Sequence, residues 1–306
     1  MSATATTGPE VAKAERHQVR YSGQRPKNRV LTYSLLAFLS IAWLFPLVYA
    51  LMQSFRSYEY TQEFGYLSLG GWTFDNYIDA WDRGNMAQAF QNTLIITVPA
   101  VLLTLALASM FAFVLSRYSF KFNLTMLALF LAANLLPPQA LLVPVFRMFL
   151  AIPVPAWLNP NGNMLNTHLG LILVNVAFQT GFCAFVLSNY MKTLPREMYE
   201  AAEVDGASTW RQYYQLTLPL VRPALAALAV LQTTWIYNEF FWATVLLQDS
   251  TKFPITSSLN NMRGTFFTDI NLVAAGSVII ALPTLVVFFV LRRQFVSGLT
   301  MGSAKG

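Results

Sequence analysis

Apolar positions along this chain gather into six runs, Val30–Met52, Thr93–Leu115, Asn123–Phe146, Leu169–Met191, Pro223–Leu247 and Leu272–Leu291. Each is close to the roughly 20 residues that an α-helix needs to cross about 30 Å of hydrocarbon at about 1.5 Å per residue. The pattern predicts an all-α integral membrane protein with six transmembrane helices. The third run contains Pro137-Pro138-Gln139, with Pro144 following. Proline removes an N–H and clashes with the preceding turn, so this helix must kink or break near mid-membrane. Carbonyls freed there are tolerated against protein or a water-filled cavity, which makes the break a candidate for lining a path.

Between the fourth and fifth runs lies a polar stretch, Pro195–Pro219, with four of the chain's fourteen acids: Glu197, Glu200, Glu203 and Asp205. Pro195 suits a helix start, and Glu197 falls in the first turn, where negative charge suits the dipole. Met198, Ala201 and Ala202 recur at helical spacing and form a narrow small-residue face. Asp205-Gly206 breaks the periodicity: the glycine permits a sharp turn, and Asp205 is expected to cap the next helix. That second helix carries Trp210, Tyr213, Tyr214 and Leu218, and Leu218-Pro219 is expected to close it. Two short helices at an angle follow, one with an alanine face that another protein could approach closely.

Charge orients the spans. The chain has 306 residues, is 55% hydrophobic and carries 20 Lys and Arg against 14 Asp and Glu, a formal charge of +6. With six spans both termini share a side, and fifteen of the basic residues fall on that side against five on the other. The positive-inside rule places both termini and the Glu200 loop in the cytoplasm. Residues 1–29 form a basic, polar tail expected to be mobile, and 30–306 a single six-span membrane domain. The basic surplus clusters at span ends, which points to a membrane surface and not to nucleic acid. Val30–Met52 is too long for a signal peptide and lacks a small-residue cleavage site, so it reads as an uncleaved anchor. Phe55–Ala89, Leu150–His168 and Gln248–Asn271 then face outward, the first rich in interfacial aromatics. Cys183 lies in an apolar run and is expected to be an inert buried thiol; no disulfide framework or Cys/His metal spacing exists.

The segment Glu200-Ala201-Ala202-x-x-Asp205-Gly206-Ala207, with Trp210 and a trailing Leu218-Pro219, resembles the EAA loop of ABC importer permeases. The chain end, with Gly298, Thr300, Gly302 and Lys305, looks like the tail of the maltose-type permease of carbohydrate importers. Asp75-Asn76-Tyr77, Asn92-Thr93-Leu94 and Trp235-x-x-Asn238-Glu239-Phe240 fit the same subfamily. The resemblance covers about Leu31 to Gly306. It implies that 195–218 are coupling helices docking into an ATPase, with Glu200 and Gly206 the sensitive positions, and that the tail reaches towards the ATPase dimer. It also implies a second, non-identical permease making most substrate contacts, and an extracytoplasmic sugar-binding protein probed by the loop carrying Asn260 and Asn261. The setting would be the plasma (inner) membrane of a prokaryote, with sugar or oligosaccharide as cargo.

Motifs for chemistry on this chain are missing. There is no G-x-x-x-x-G-K-[ST], no HExxH and no G-x-S-x-G, and the two histidines, His17 and His168, read as solvated. An ATP-powered role therefore requires a separate chain holding ATP and Mg, with no cofactor on this one. Polar residues within the spans remain: Asn134, Asn175, Gln179, Gln232, Trp235, Asn238 and Glu239. Their amides, acid and aromatic suit a sugar path, while interhelical hydrogen bonding is the commoner fate of membrane Asn and Gln. Two rivals stay open: the same architecture importing amino acids, peptides or anions, and an ion-coupled secondary transporter with Glu239 as proton carrier.

Overall fold

The computed structural model describes residues 29–118, 120–262 and 268–300, with backbone alone for 133 and 290–300. The described residues are helical, joined by turns and two isolated bridges, Arg56 with Trp72 and Pro153 with Asn163. They fall into two units on either side of Ala50. The first holds most of α1 (Arg29–Ser54), a helix with exposed apolar side chains such as Trp43. The second holds everything from Leu51 onward.

In that second unit, α2 (Tyr58–Phe64) and α3 (Asp75–Arg83) lead into α4 (Met86–Arg117). The third apolar run is broken, as its prolines predict. It forms α5 (Asn123–Leu135), an extended Pro137, a 3-10 turn at Pro138–Leu141 and α6 (Leu142–Ala151). Next come α7 (His168–Met191), α8 (Arg196–Val204) and α9 (Thr209–Tyr237). The chain closes with α10 (Phe241–Leu246), α11 (Ile255–Ser258) and α12 (Ile270–Thr300). Five described helices are long and apolar enough to span a membrane: α1, α4, α7, α9 and α12. The remaining expected span corresponds to α5 and α6, two apolar helices that are each shorter than a membrane crossing.

The core is the α4–α7 pair, flanked by α5 on α7 and by α9 on α4. Lipid tails give helices no hydrophobic reason to associate, so small residues that allow close packing carry the contact. Ala100, Ala108, Ala112, Cys183 and Ala184 are buried along this seam. Gly181 is needed because a Cβ there would meet the Phe130 carbonyl oxygen at 2.8 Å. The Gln232 side-chain amide donates to the Cys183 sulfur at 3.0 Å, tying α9 to α7. Cys183 is fully buried, as its apolar run predicts.

Two expected helix ends need correction. Leu218-Pro219 does not close a helix; α9 runs through it into the span. A π turn at Gln212–Thr217 precedes it, with the Leu218 N–H donating to the Tyr213 carbonyl and the Thr217 hydroxyl to the Gln212 carbonyl at 3.1 Å. Widening the helix ahead of prolines that lack a donor accommodates Pro219 without a stop. The fifth apolar run is also not continuous to Leu247. It breaks at Asn238–Phe240, where the Glu239 carboxylate accepts the N–H groups of Trp242 at 2.6 Å and Ala243 at 3.0 Å and so starts α10.

The residues that fit the subfamily pattern tie down two connecting segments, one after α10 and one after α1. Asn92 donates to the carbonyls of Thr251 and Phe253, and the Thr93 hydroxyl accepts from the Ile255 N–H. Asn76 donates to the carbonyls of Ser54 and Arg56, and Tyr77 bonds to Ser54. His168 is half-buried and contacts the Lys252 carbonyl at 3.0 Å, so it is not simply solvated.

Candidate functional site: a helical elbow and a polar cavity

The stretch 195–218 forms an elbow whose geometry follows from its sequence. Pro195 opens α8 with extended backbone, and α8 ends at Asp205. Gly206 has φ +74°, the Ala207 N–H donates to the Ala202 carbonyl at 2.9 Å, and the Gly206 N–H to the Glu203 carbonyl at 3.0 Å. These paired bonds make a Schellman motif, in which a left-handed residue lets the last carbonyls of a helix find donors. Ala202 and Ala207, both half-buried, occupy the two positions whose side chains meet in this motif. The elbow thus favours glycine for its backbone angle, and Ala202 and Ala207 supply the apolar contact of the motif. Asp205 ends α8 and does not cap the next helix. Ser208 does, accepting the Arg211 N–H, because its extended backbone places Oγ over the first turn.

The elbow's inner face was not read from the sequence. Tyr199 is buried and its hydroxyl bonds to Thr217 at 3.0 Å. Arg117, the last residue of α4, stacks over the Tyr199 ring at 4.6 Å and donates to Glu203 at 2.6 Å. Tyr213, at the π turn, bonds to Ser109 of α4 at 2.8 Å. Tyrosines at 199 and 213 alternate with exposed positions at helical spacing, which is the signal that could have found them. Met198 packs inward beside this cluster, while Ala201 is exposed, so the expected small-residue face is divided.

The outer face is different. Glu200, Ala201, Asp205, Gly206 and Trp210 are exposed. Val204 is 88% exposed, Trp210 65% and Tyr214 68%. Trp210 stacks on Tyr213 with ring centroids 5.3 Å apart, which holds it in place. An ordered apolar and acidic surface on a short elbow, braced from behind, can receive force from a partner and pass it to α4 and α9.

A second feature lies where the helices break. A cavity of about 330 Å³ is lined by Asn134, Asn175, Gln179, Trp235 and Glu239, together with Pro138, Phe178 and Trp242. Five of the seven expected path residues are thus brought together from α5, α7 and the end of α9. Gln232 is fully buried on Cys183, and Asn238 donates to the Thr234 carbonyl; neither lines the cavity. Asn134 and Asn175 donate to their own helices, at the Phe130 and Leu171 carbonyls, leaving their amide oxygens as acceptors. The Gln179 Oε1 is buried with no hydrogen-bond partner among the described residues. Among the described residues no Lys or Arg lines this space. Acceptors beside indole faces suit a neutral, hydroxyl-bearing ligand.

Of the other expected residues, Asn260 and Asn261 sit in a 3-10 turn at Leu259–Met262, partly exposed and exposed respectively. Gly298 and Thr300 lie at the end of the α12 backbone, while Gly302 and Lys305 lie outside the described residues.

The chain as a whole is similar to known proteins. Residues 101–295 match the family described as "Binding-protein-dependent transport system inner membrane component". The chain is 32% identical over 283 residues to a probable ABC transporter permease protein of Pyrococcus horikoshii, covering 89% of this chain and 96% of that one. It is 31% identical over 275 residues to the diacetylchitobiose uptake system permease protein NgcG of Streptomyces coelicolor, covering 89% and 88%. It is 31% identical over 235 residues to the melibiose/raffinose/stachyose import permease protein MelC of Bacillus subtilis, covering 76% and 82%. Its fold is similar to that in the crystal structure of a bacterial ABC transporter involved in the import of the acidic polysaccharide alginate. That likeness has a TM-score of 0.69 at 19% identity, covering 95% of this chain and 100% of that one. The chain therefore belongs to the family of binding-protein-dependent transport-system inner-membrane components, and is an ABC importer permease, a transport subunit and not an enzyme.

Proposed function

We propose that this chain is one of two non-identical permeases in an importer of a neutral sugar or oligosaccharide. ATP and Mg are held by a partner ATPase dimer, and an extracytoplasmic binding protein delivers the cargo. Both termini and the elbow face the cytoplasm. The elbow, Pro195–Leu218, seats in the ATPase with Glu200, Val204 and Trp210 outward. ATPase closure pushes it, and the Arg117 and Tyr213 contacts carry the displacement into α4 and α9, which re-tilt to alternate access. The tail carrying Gly298, Thr300, Gly302 and Lys305 reaches towards the same ATPase, and the turn with Asn260 and Asn261 faces the binding protein.

The observation that carries the reading is the braced elbow: a buried Tyr199 and Tyr213 behind, an exposed Glu200, Val204 and Trp210 in front. The cargo class is supported by the relatives' names and by the cavity, whose acceptors, aromatics and single acid disfavour an anion. A secondary transporter with Glu239 as proton carrier is disfavoured because both carboxylate oxygens are occupied capping α10.

The test is purification in mild detergent followed by reconstitution. Co-purification of an ATPase and a second permease, and ATP-dependent uptake of labelled sugar that Glu200→Lys uncouples from hydrolysis, is the expected result. Undiminished uptake by that variant, or isolation without an ATPase, would overturn the coupling role.

A further inference from the structure

A second cavity, of about 270 Å³, lies behind the elbow and is lined by Arg117, Lys192, Arg196, Leu194, Met191 and Tyr199 among others. It joins the end of α4, the end of α7 and the start of α8. Arg117 is paired with Glu203, but the side chains of Lys192 and Arg196 have no hydrogen-bond or ion-pair partner among the described residues. Two of the three cations have a local reason to be there. Arg117 and Lys192 end α4 and α7, where positive charge complements the negative end of the helix dipole. Arg196 has none. It is the first residue of α8, at the positive end of that dipole, where a cation is unfavourable unless an anion is present. No side chain caps α8, and the acid of its first turn, Glu197, is exposed and does not line the cavity.

We propose that this cavity binds a phosphate-bearing anion held by Lys192 and Arg196, with Arg117 at its edge. Cations at the ends of membrane helices stand at headgroup depth, where basic pockets between spans take phospholipid headgroups. The phosphate would tie the start of α8 to the end of α7, beside the Arg117–Glu203 pair. The elbow would then be held at both ends, with the second tie dependent on lipid composition or on soluble phosphate. This inference goes beyond the transport reading and rests on the membrane setting alone, whatever the cargo.

The test uses the assembled transporter in phosphatidylcholine nanodiscs, alone or with about a quarter phosphatidylglycerol. Bound phosphatidylglycerol is counted by native mass spectrometry for the unaltered chain, Lys192→Ala with Arg196→Ala, Arg196→Gln alone, and Arg147→Ala as a basic control. A second arm measures the thermal shift on adding inorganic phosphate in phosphatidylcholine alone. A fall of roughly fivefold or more in retained phosphatidylglycerol in the double variant, but not the control, identifies a lipid headgroup. A phosphate shift present in the unaltered chain and absent in the variants identifies a soluble anion. If neither readout separates the unaltered chain from either variant, including Arg196→Gln, which removes one exposed side chain from an otherwise intact fold, the site does not exist.

Discussion

Arg117 and Glu203, 86 residues apart in sequence, meet at 2.6 Å and join the end of α4 to the exposed elbow. Arg117 is 14% exposed and Glu203 58% at their side chains, so the charge pair adds under about 1 kcal/mol to stability. Its value is positional. The same guanidinium lies on the Tyr199 ring, so one residue of α4 contacts two side chains of the elbow.

Exchanging the two charges tests this. Arg117→Glu and Glu203→Arg singly should each lower sugar uptake per ATP hydrolysed while shifting the melting temperature little. The exchange should recover part of the loss, the remainder reflecting the about 0.5–1 kcal/mol of ring stacking that only Arg117 provides. An exchange variant as poor as either single one would show that the pair does not transmit.

Gly206 separates backbone angle from space. Nothing lies within 4 Å of where its Cβ would stand, yet its φ is +74°. Gly206→Ala should cost the elbow about 1–2 kcal/mol, and Gly206→Asn less, because asparagine tolerates the left-handed region. Uptake should fall in the order Gly, Asn, Ala, Val. Equal activity for Asn and Val would place the role of Gly206 outside its backbone.

Arg56 should be irreplaceable by lysine. It is fully buried and donates to the carbonyls of Gly65, Tyr66 and Gly70, to Gln53 and to Ser68. A lysine ammonium has three donors at one point and cannot span these acceptors. Arg56→Lys and Arg56→Met should both lose on the order of 3 kcal/mol, the scale of two hydrogen bonds from a charged group. Faster proteolysis between residues 57 and 74 and a lower melting temperature in detergent are the readouts. A lysine variant as stable as the parent would contradict the assignment.

Glu239→Gln keeps one acceptor where two N–H groups need one each. Loss of the second cap should cost about 1 kcal/mol and raise the KM for sugar, because α10 and Trp242 border the cavity. Uptake should persist when the proton gradient is collapsed with ATP held high. Uptake that stops under those conditions would restore the proton-carrier reading.

Much of this protein could be read directly from its residues. Apolar runs of span length, the proline break in the third of them, and the E-A-A-x-x-D-G-A spacing depend on periodicity and on residues with restricted backbones. Such features act over a few positions, so a linear reading can reach them. The same holds for Gly206, whose turn needs only its own φ and its neighbours' carbonyls.

What the sequence could not supply depends on distant partners. That Tyr199 faces Arg117 and Thr217, that Glu239 caps a helix inside an apolar run, and that Leu218-Pro219 continues a helix are outcomes of packing. A buried polar group accepts whichever donor or acceptor the fold brings near, and nothing in its own neighbourhood names that group. Asn134, Asn175, Gln179 and Trp235 could be nominated by type alone; their meeting around one cavity was decided by the approach of α5, α7 and α9. Local chain stiffness set the helices and the elbow, and the long-range satisfaction of polar groups in a medium without water set where they join.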